Sequence, residues 1–263
     1  MKSIYNYFQF SEVEEAHKIT KDIEKIRIQV KYEIQNDPCY GDELDYYDNV
    51  LPWINEFNFT MLNIEIPYIL VCNYYNKGIP EYREVDLNEK EYQEIDYINK
   101  YYFNYFSRIC LFEIKSNFER TIHIISNLYN LGINHYEKDI ISRVIKYLRT
   151  NDKKLYKYLI DIQSNPVYNE MENLRNQLTH SFSPLNTRSL PEYHKSGLIS
   201  YGVRQSKSST EIKNVIESSL KLLKEYVDFL GKHIEQFYIE KFDRKQINTL
   251  SNLKSPQSDC EAN

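Results

Sequence analysis

The sequence predicts an all-α helical bundle, and three observations carry that reading. The 263 residues include only 6 Gly and 8 Pro, too little punctuation for a β-sandwich or a doubly wound α/β fold, which turn every few residues. Apolar residues make up 41% of the chain, with 25 Tyr and 12 Phe among them, enough to build a core at this length. They recur at threes and fours over long stretches, the period of a helix with one buried face.

The elements follow in order. Ser11 and Glu14 form a capping box ahead of Val13, Ala16, Ile19, Ile23, Ile26 and Val30, so a first helix is expected to about Gln35. Pro38, Gly41 and the acidic run Asp42, Glu43, Asp45 and Asp48 read as a solvated loop. A second helical region runs from Pro52 to Tyr75, with a kink or break expected at Pro67, where a backbone donor is missing. Asp86 and Glu89 cap a long helix, or two in series, to Leu131, with Gly132 as the stop. In that helix Ile95, Ile98, Tyr102, Tyr105, Ile109, Phe112, Phe118, Ile122 and Ile125 read as one core stripe, with a single offset that suggests a bend.

Shorter helices are expected over Lys138 to Leu148 and Asp152 to Ile162. Asn165 and Pro166 open another that ends near Phe182, before Pro184. From Asn186 to Ser206 the periodicity is lost. That stretch carries Arg188, His194, Lys195 and Arg204 against only Glu192, and reads as a mobile basic loop. The last helix, Thr210 to Phe242, sets Ile216, Leu220, Leu223, Val227, Leu230, Ile234 and Phe237 along a bundle seam, with Gly231 one position off it. The chain therefore divides into an N-terminal helical region (1–85), a bundle (86–242) and a polar tail (243–263) expected to be disordered.

The same composition removes several function classes. Gly41, Gly78, Gly132, Gly197, Gly202 and Gly231 stand too far apart for a Walker or dinucleotide loop. Cys39, Cys72, Cys110 and Cys260 form no CxxC pair and follow no signal peptide, which argues against a zinc knuckle or disulfide framework and for a reducing cytoplasm. His17, His123, His135 and His233 share no ligand spacing with carboxylates, so no metal or cofactor is expected. The stretch Phe57 to Tyr75 is interrupted by Asn63, Glu65 and Pro67 and is too polar for a membrane span. The net charge of −5 argues against a constitutive nucleic-acid binder. Transient contact through the basic segment, with Tyr193 and Tyr201 as stacking groups, remains compatible with it.

One segment stands apart, Asn173 to Phe182. Val167, Met171, Leu174 and Leu178 share a face, while Arg175, Asn176, Thr179 and His180 make a continuous polar face on the other side. Asn176 lies one turn before His180, within reach of its ring. An arginine beside an oriented histidine suits a phosphodiester substrate. A second arginine–histidine pair, Arg188 and His194, is read as coincidence, since Ser189 follows the arginine and Pro191 forbids a helix. Glu119 and Arg120 are read as ion-pairing residues.

Arg175-Asn176-Gln177-Leu178-Thr179-His180 resembles the R-(N/D/H)-x3-H form of the R-x4-6-H signature of the HEPN superfamily, all-α proteins of bacterial toxin, antiphage and RNA-processing systems. The resemblance covers the motif and, as a bundle, about Glu89 to Phe242. It implies a metal-independent endoribonuclease with Arg175, Asn176 and His180 as catalytic residues; the basic segment near the motif separately offers Arg188, His194, Lys195 and Arg204 as expected RNA contacts. Its products would carry 2',3'-cyclic phosphate and 5'-hydroxyl ends. It also implies a homodimer through the motif face and a role as a toxin or antiphage effector, with an antitoxin or regulatory protein as a further partner. The alternative within the same family is an inactive dimerisation or nucleotide-binding module that docks a nucleotidyltransferase antitoxin.

Overall fold

The computed structural model describes residues 13–30, 49–79, 93–134, 137–180, 188–193, 198–204 and 207–253. Its helices are α1 (Val13–Glu24), α2 (Leu51–Thr60), α3 (Leu62–Asn76), α4 (Glu94–Leu128), α5 (Ile140–Asn151), α6 (Lys153–Gln163), α7 (Pro166–His180) and α8 (Ser209–Leu253). Between α7 and α8 lies a hairpin of β1 (Arg188–Tyr193) and β2 (Ile199–Arg204). The fold is an all-α bundle with this one hairpin among the described residues.

Helix α4 is the spine. Helices α2, α3, α5, α7 and α8 all pack on it, and Phe103, Cys110, Leu111, Ile114, Ile124 and Ile125 on its inner face are fully buried. Apolar burial of this kind contributes about 1.5–3 kcal/mol per large side chain. Two polar pairs in the core join neighbouring helices. Thr60 of α2 donates to Asn117 of α4 at 2.8 Å, and Thr121 of α4 bonds the buried Tyr226 hydroxyl of α8 at 2.9 Å.

The start and stop signals act locally. At α4 the capping box is made by Gln93 and Asp96, not by Asp86 and Glu89, which lie outside the described residues. Its C-terminal stop is Asn130, whose φ of 48° is left-handed. Leu131 N–H donates to Ser126 at 3.0 Å and Asn130 N–H to Asn127 at 3.1 Å, the paired bonds of a Schellman cap. Gly132, the stop expected from the sequence, comes two residues later. Asn165 caps α7 by accepting from Val167 N–H at 2.8 Å, with Pro166 in the first turn as expected.

Several expectations need correction. The first helix ends at Glu24, where the chain turns with Ile26 N–H on the Ile23 carbonyl and continues through 28–30 as a non-helical strap. The Asn58 side chain bonds both the N–H (2.9 Å) and the carbonyl (3.2 Å) of Ile28 there. That strap explains Gly231, since a Cβ on Gly231 would lie 2.9 Å from the Gln29 carbonyl oxygen. The interruption between α2 and α3 falls at Met61, while Pro67 lies inside α3.

The supposed single stripe of α4 is in fact two. Ile95, Ile98, Tyr102 and Tyr105 are exposed, whereas Phe118, Ile122 and Ile125 are buried. The offset marks a change of buried face along a continuous helix.

The expected basic loop is an antiparallel hairpin. Leu190, Tyr193, Ile199, Tyr201 and Val203 give it β-forming character, and Pro191 is tolerated because a two-stranded sheet has only edges. Helix α8 continues through 243–253, part of the expected disordered tail, since no Gly or Pro stands between Gly231 and Pro256. The rest of that tail lies outside the described residues.

At one end of the bundle a buried polar cluster joins α4, α6 and α8. Asp152 caps α6 through Leu155 N–H at 2.8 Å. Its other oxygen accepts from the Tyr129 hydroxyl at 2.5 Å and lies 2.9 Å from His233 Nε2. Burial pushes the His233 pKa down, against the pull of Asp152. Burial also works against the Asp152 charge, but the Leu155 and Tyr129 donors outweigh it and hold that carboxyl below its ordinary value.

Two outcomes are expected. Gly231→Ala forces the strap off α8 and should lower unfolding stability by about 1–3 kcal/mol, the usual cost of overpacking; an unchanged urea midpoint would remove the strap contact. Because His233 titrates lower when folded, its contribution is complete above about pH 6.5 and is lost as pH falls. Urea melts at pH 7.5 and 5.5 should therefore differ less in His233→Gln than in the wild type, and equal slopes would refute this.

Candidate active site on the Pro166–His180 helix

Helix α7 is held by its buried stripe. Met171, Leu174 and Leu178 are buried and Val167 is half-buried, as their spacing predicts. Arg175, half-buried, lies at the edge of this stripe, and Asn176, exposed, lies on the opposite side. Arg175 donates from a guanidinium nitrogen to Asn176 Oδ1 at 3.0 Å. Its guanidinium also lies over the Phe112 ring of α4, 5.1 Å from the centroid. A cation seated on a ring face loses freedom without losing charge, which suits a group meant to meet an anion.

His180 is the last residue of α7; its side chain and that of Thr179 lie outside the described residues. The backbone puts Asn176 and His180 one helical turn apart, as the motif requires. The expected hydrogen bond from Asn176 to the His180 ring falls outside the description, and the described partner of Asn176 is Arg175.

The residue that sequence reasoning missed is Lys115. It is 5% exposed on α4, with Nζ 2.7 Å from Glu172 of α7 and 2.5 Å from the Tyr168 hydroxyl, and it also lies over the Tyr168 ring. Burial opposes its charge, but the bonds to Glu172 and Tyr168 prevail and hold its pKa above the ordinary lysine value. Glu172 lies three residues before Arg175, so this contact fixes the rotation of α7 about its axis. A lysine inside an apolar run was the available signal. Glu119 and Arg120 form ion pairs with Lys115 (3.7 Å) and Glu113 (3.9 Å), in line with their sequence reading.

The basic candidates are divided. Arg188 and Arg204 are register partners at the open end of the hairpin. His194 and Lys195 belong to the connection between the two strands and lie outside the described residues. Arg188 begins a strand, so the second arginine–histidine spacing has no helical register.

Other chemistries find little support in the described residues. The Cys72 thiol is pushed up to about 11 by burial, and Cys110 is raised well above its ordinary value for the same reason; neither is an activated nucleophile. His123 stacks on Trp53 at 4.9 Å. Among the described residues no group of His, Cys, Asp and Glu is arranged to hold a metal ion, and no helix is long and apolar enough to cross a membrane.

The family model described as HEPN_Cthe2314-like HEPN matches residues 53–251, more than half of the chain. The chain belongs to the HEPN family. The match begins at residue 53, within the segment that the sequence reading set apart as N-terminal, and it ends beyond Phe242. The core is likewise one contiguous cluster that includes α2 and α3. HEPN domains have nuclease-type or nucleotide-binding functions and commonly dimerise and bind RNA. No curated protein and no solved structure matches the chain.

Lys115→Met should destabilise the fold by about 2 kcal/mol, by leaving Tyr168 and Glu172 without their buried donor. A double-mutant cycle with Glu172→Gln should return a coupling of about 1 kcal/mol. Additive single effects would show that the contact does not hold α7.

Proposed function

We propose that this HEPN protein is a metal-independent endoribonuclease that acts as a toxin or antiphage effector. The observation that carries the reading is Arg175: a half-buried guanidinium, held by Asn176 and the Phe112 ring, at the edge of the buried stripe of α7. In a HEPN chain that arrangement supports reading the motif from Arg175 to His180 as the reacting face.

In the proposed reaction the RNA 2'-hydroxyl attacks the adjacent phosphorus. The P–O5' bond breaks, leaving a 2',3'-cyclic phosphate and a 5'-hydroxyl. His180 takes the 2'-hydroxyl proton or delivers one to the leaving oxygen, and Arg175 stabilises the additional negative charge on the phosphoryl oxygens. One motif supplies one histidine, whereas the displacement needs both an acid and a base. A homodimer through the motif face meets that need. Arg188 and Arg204, side by side at the hairpin base, are the proposed backbone-phosphate contacts, with His194 and Lys195 reaching RNA farther along.

The test is cleavage of labelled total RNA in EDTA. Arg175→Ala should lower the rate by about 100-fold or more, the usual cost of losing a charge-stabilising donor. His180→Ala should abolish cleavage, and wild-type products should carry cyclic-phosphate ends. Equal cleavage by His180→Ala would overturn the reading. Intact RNA with specific nucleotide binding would favour the non-catalytic module.

A further inference from the structure

Helix α8 has two working sides. Tyr226 and His233 face α6, where Tyr226 stacks with Tyr158 and His233 meets Asp152. Lys224 lies about 180° from His233 on the helical wheel and so faces the other way. On that side α1 packs on α3 and leaves a groove against α8. The groove has two chambers. The first, of about 510 Å³, has Ile19, Ile23 and Leu220 in its apolar lining and Lys18, Lys213 and Lys221 around them. The second, of about 460 Å³, runs along Arg27 and Gln29 to Gly231 and Lys232. Lys25, in the turn after α1, and Lys224 line both chambers.

The lining carries more cations than carboxylates, although the chain as a whole has a net charge of −5. Lys25 pairs with Asp22 at 2.7 Å, Lys224 with Asp228 at 2.6 Å, and Lys213 with Glu217. The first two are exposed pairs, which hold weakly and exchange one anion for another at little cost. Lys18, Lys221 and Lys232 have no ion-pair partner among the described residues. Glu235, at the far end, is the lining carboxylate left without one. The decisive group is Arg27, which is half-buried. Its Nε is shut off from solvent and meets no acceptor among the described residues. A charged donor buried in that state calls for an anionic oxygen.

We propose that this groove binds a chain of phosphates. Lys25 and Lys224 close on it from the two walls, Lys221 meets it on one side and the Arg27 Nε–H on the other. A single carboxylate would answer one or two of these groups. Cations that converge from α1 and α8 on one stretch of groove suit a ligand with several charges in a row, as linked phosphates have. A free oligophosphate and the phosphate chain of a nucleotide share that chemistry, and the apolar lining of the first chamber has room for a base. None of the described lining residues belongs to α7. The inference is therefore separate from the endoribonuclease reading and does not rest on it.

The test is calorimetric titration of the full chain with tripolyphosphate in EDTA. Binding should be seen, and the melting temperature should rise with ligand concentration, because the site exists only in the folded chain. Lys18→Ala/Lys221→Ala alters two exposed side chains and should weaken binding by about tenfold or more, as should Arg27→Met. Removing two exposed lysines elsewhere, in Lys146→Ala/Lys157→Ala, should leave the affinity nearly unchanged, and so should His180→Ala. Adenosine triphosphate separates the two sources. Equal affinity makes the phosphate chain the whole ligand, and tighter binding places the base on Ile19 and Ile23. Failure of both compounds to bind, or an equal loss in Lys146→Ala/Lys157→Ala, would overturn the proposal. A loss in His180→Ala would overturn it by moving the ligand to the motif face. RNA held by the groove lysines without any response to either small ligand would also overturn it.

Discussion

A lysine removed from water at the centre of the bundle constrains much of what surrounds it. Lys115 keeps its charge chiefly through Glu172 and the Tyr168 hydroxyl, with Glu119 farther off. Glu172 and Tyr168 both belong to α7, and together they leave that helix one rotation relative to α4. Once that rotation is fixed, Met171, Leu174 and Leu178 must enter the core and Arg175 must emerge beside Phe112. An apolar pair in place of the ion pair would hold α7 as tightly but would let it turn. Orientation is the property that a phosphate-facing arginine needs.

The sequence exposed much of this arrangement. The cap at Asn165, the buried stripe of α7 and the polar run beginning at Arg175 follow from local rules that tertiary context did not override. The long helix α4 shows where such rules stop. Spacing by threes and fours proves that residues share a side of a helix, but not what that side touches. Ile95 to Phe112 and Phe118 to Ile125 satisfy the same period, and only packing shows that the first set faces outward while the second faces in.

The hairpin was hidden for a related reason. Gly202 and Pro191 punctuate the segment as a loop would, and a two-stranded ribbon tolerates both. Only its second strand alternates, with Ile199, Tyr201 and Val203, while its first does not. Asp152 and His233 were beyond sequence reasoning altogether, since nothing local links a cap residue on α6 to a histidine on α8.

Gly231 carries a consequence for how the chain reaches this structure. The strap over it comes from residues 28–30, far away in sequence, so the first described helix is secured by the last. Helix α8 also supplies Tyr226, Leu230 and Ile234 to the core, and it is synthesised after every other described element. The earlier helices therefore leave the ribosome with a groove where α8 belongs and with a strap that has nothing to cross. Contacts at such separation are costly to close and form late. A nascent chain of this protein is thus an open clasp for most of its synthesis, a state in which chaperones have the longest opportunity to engage it.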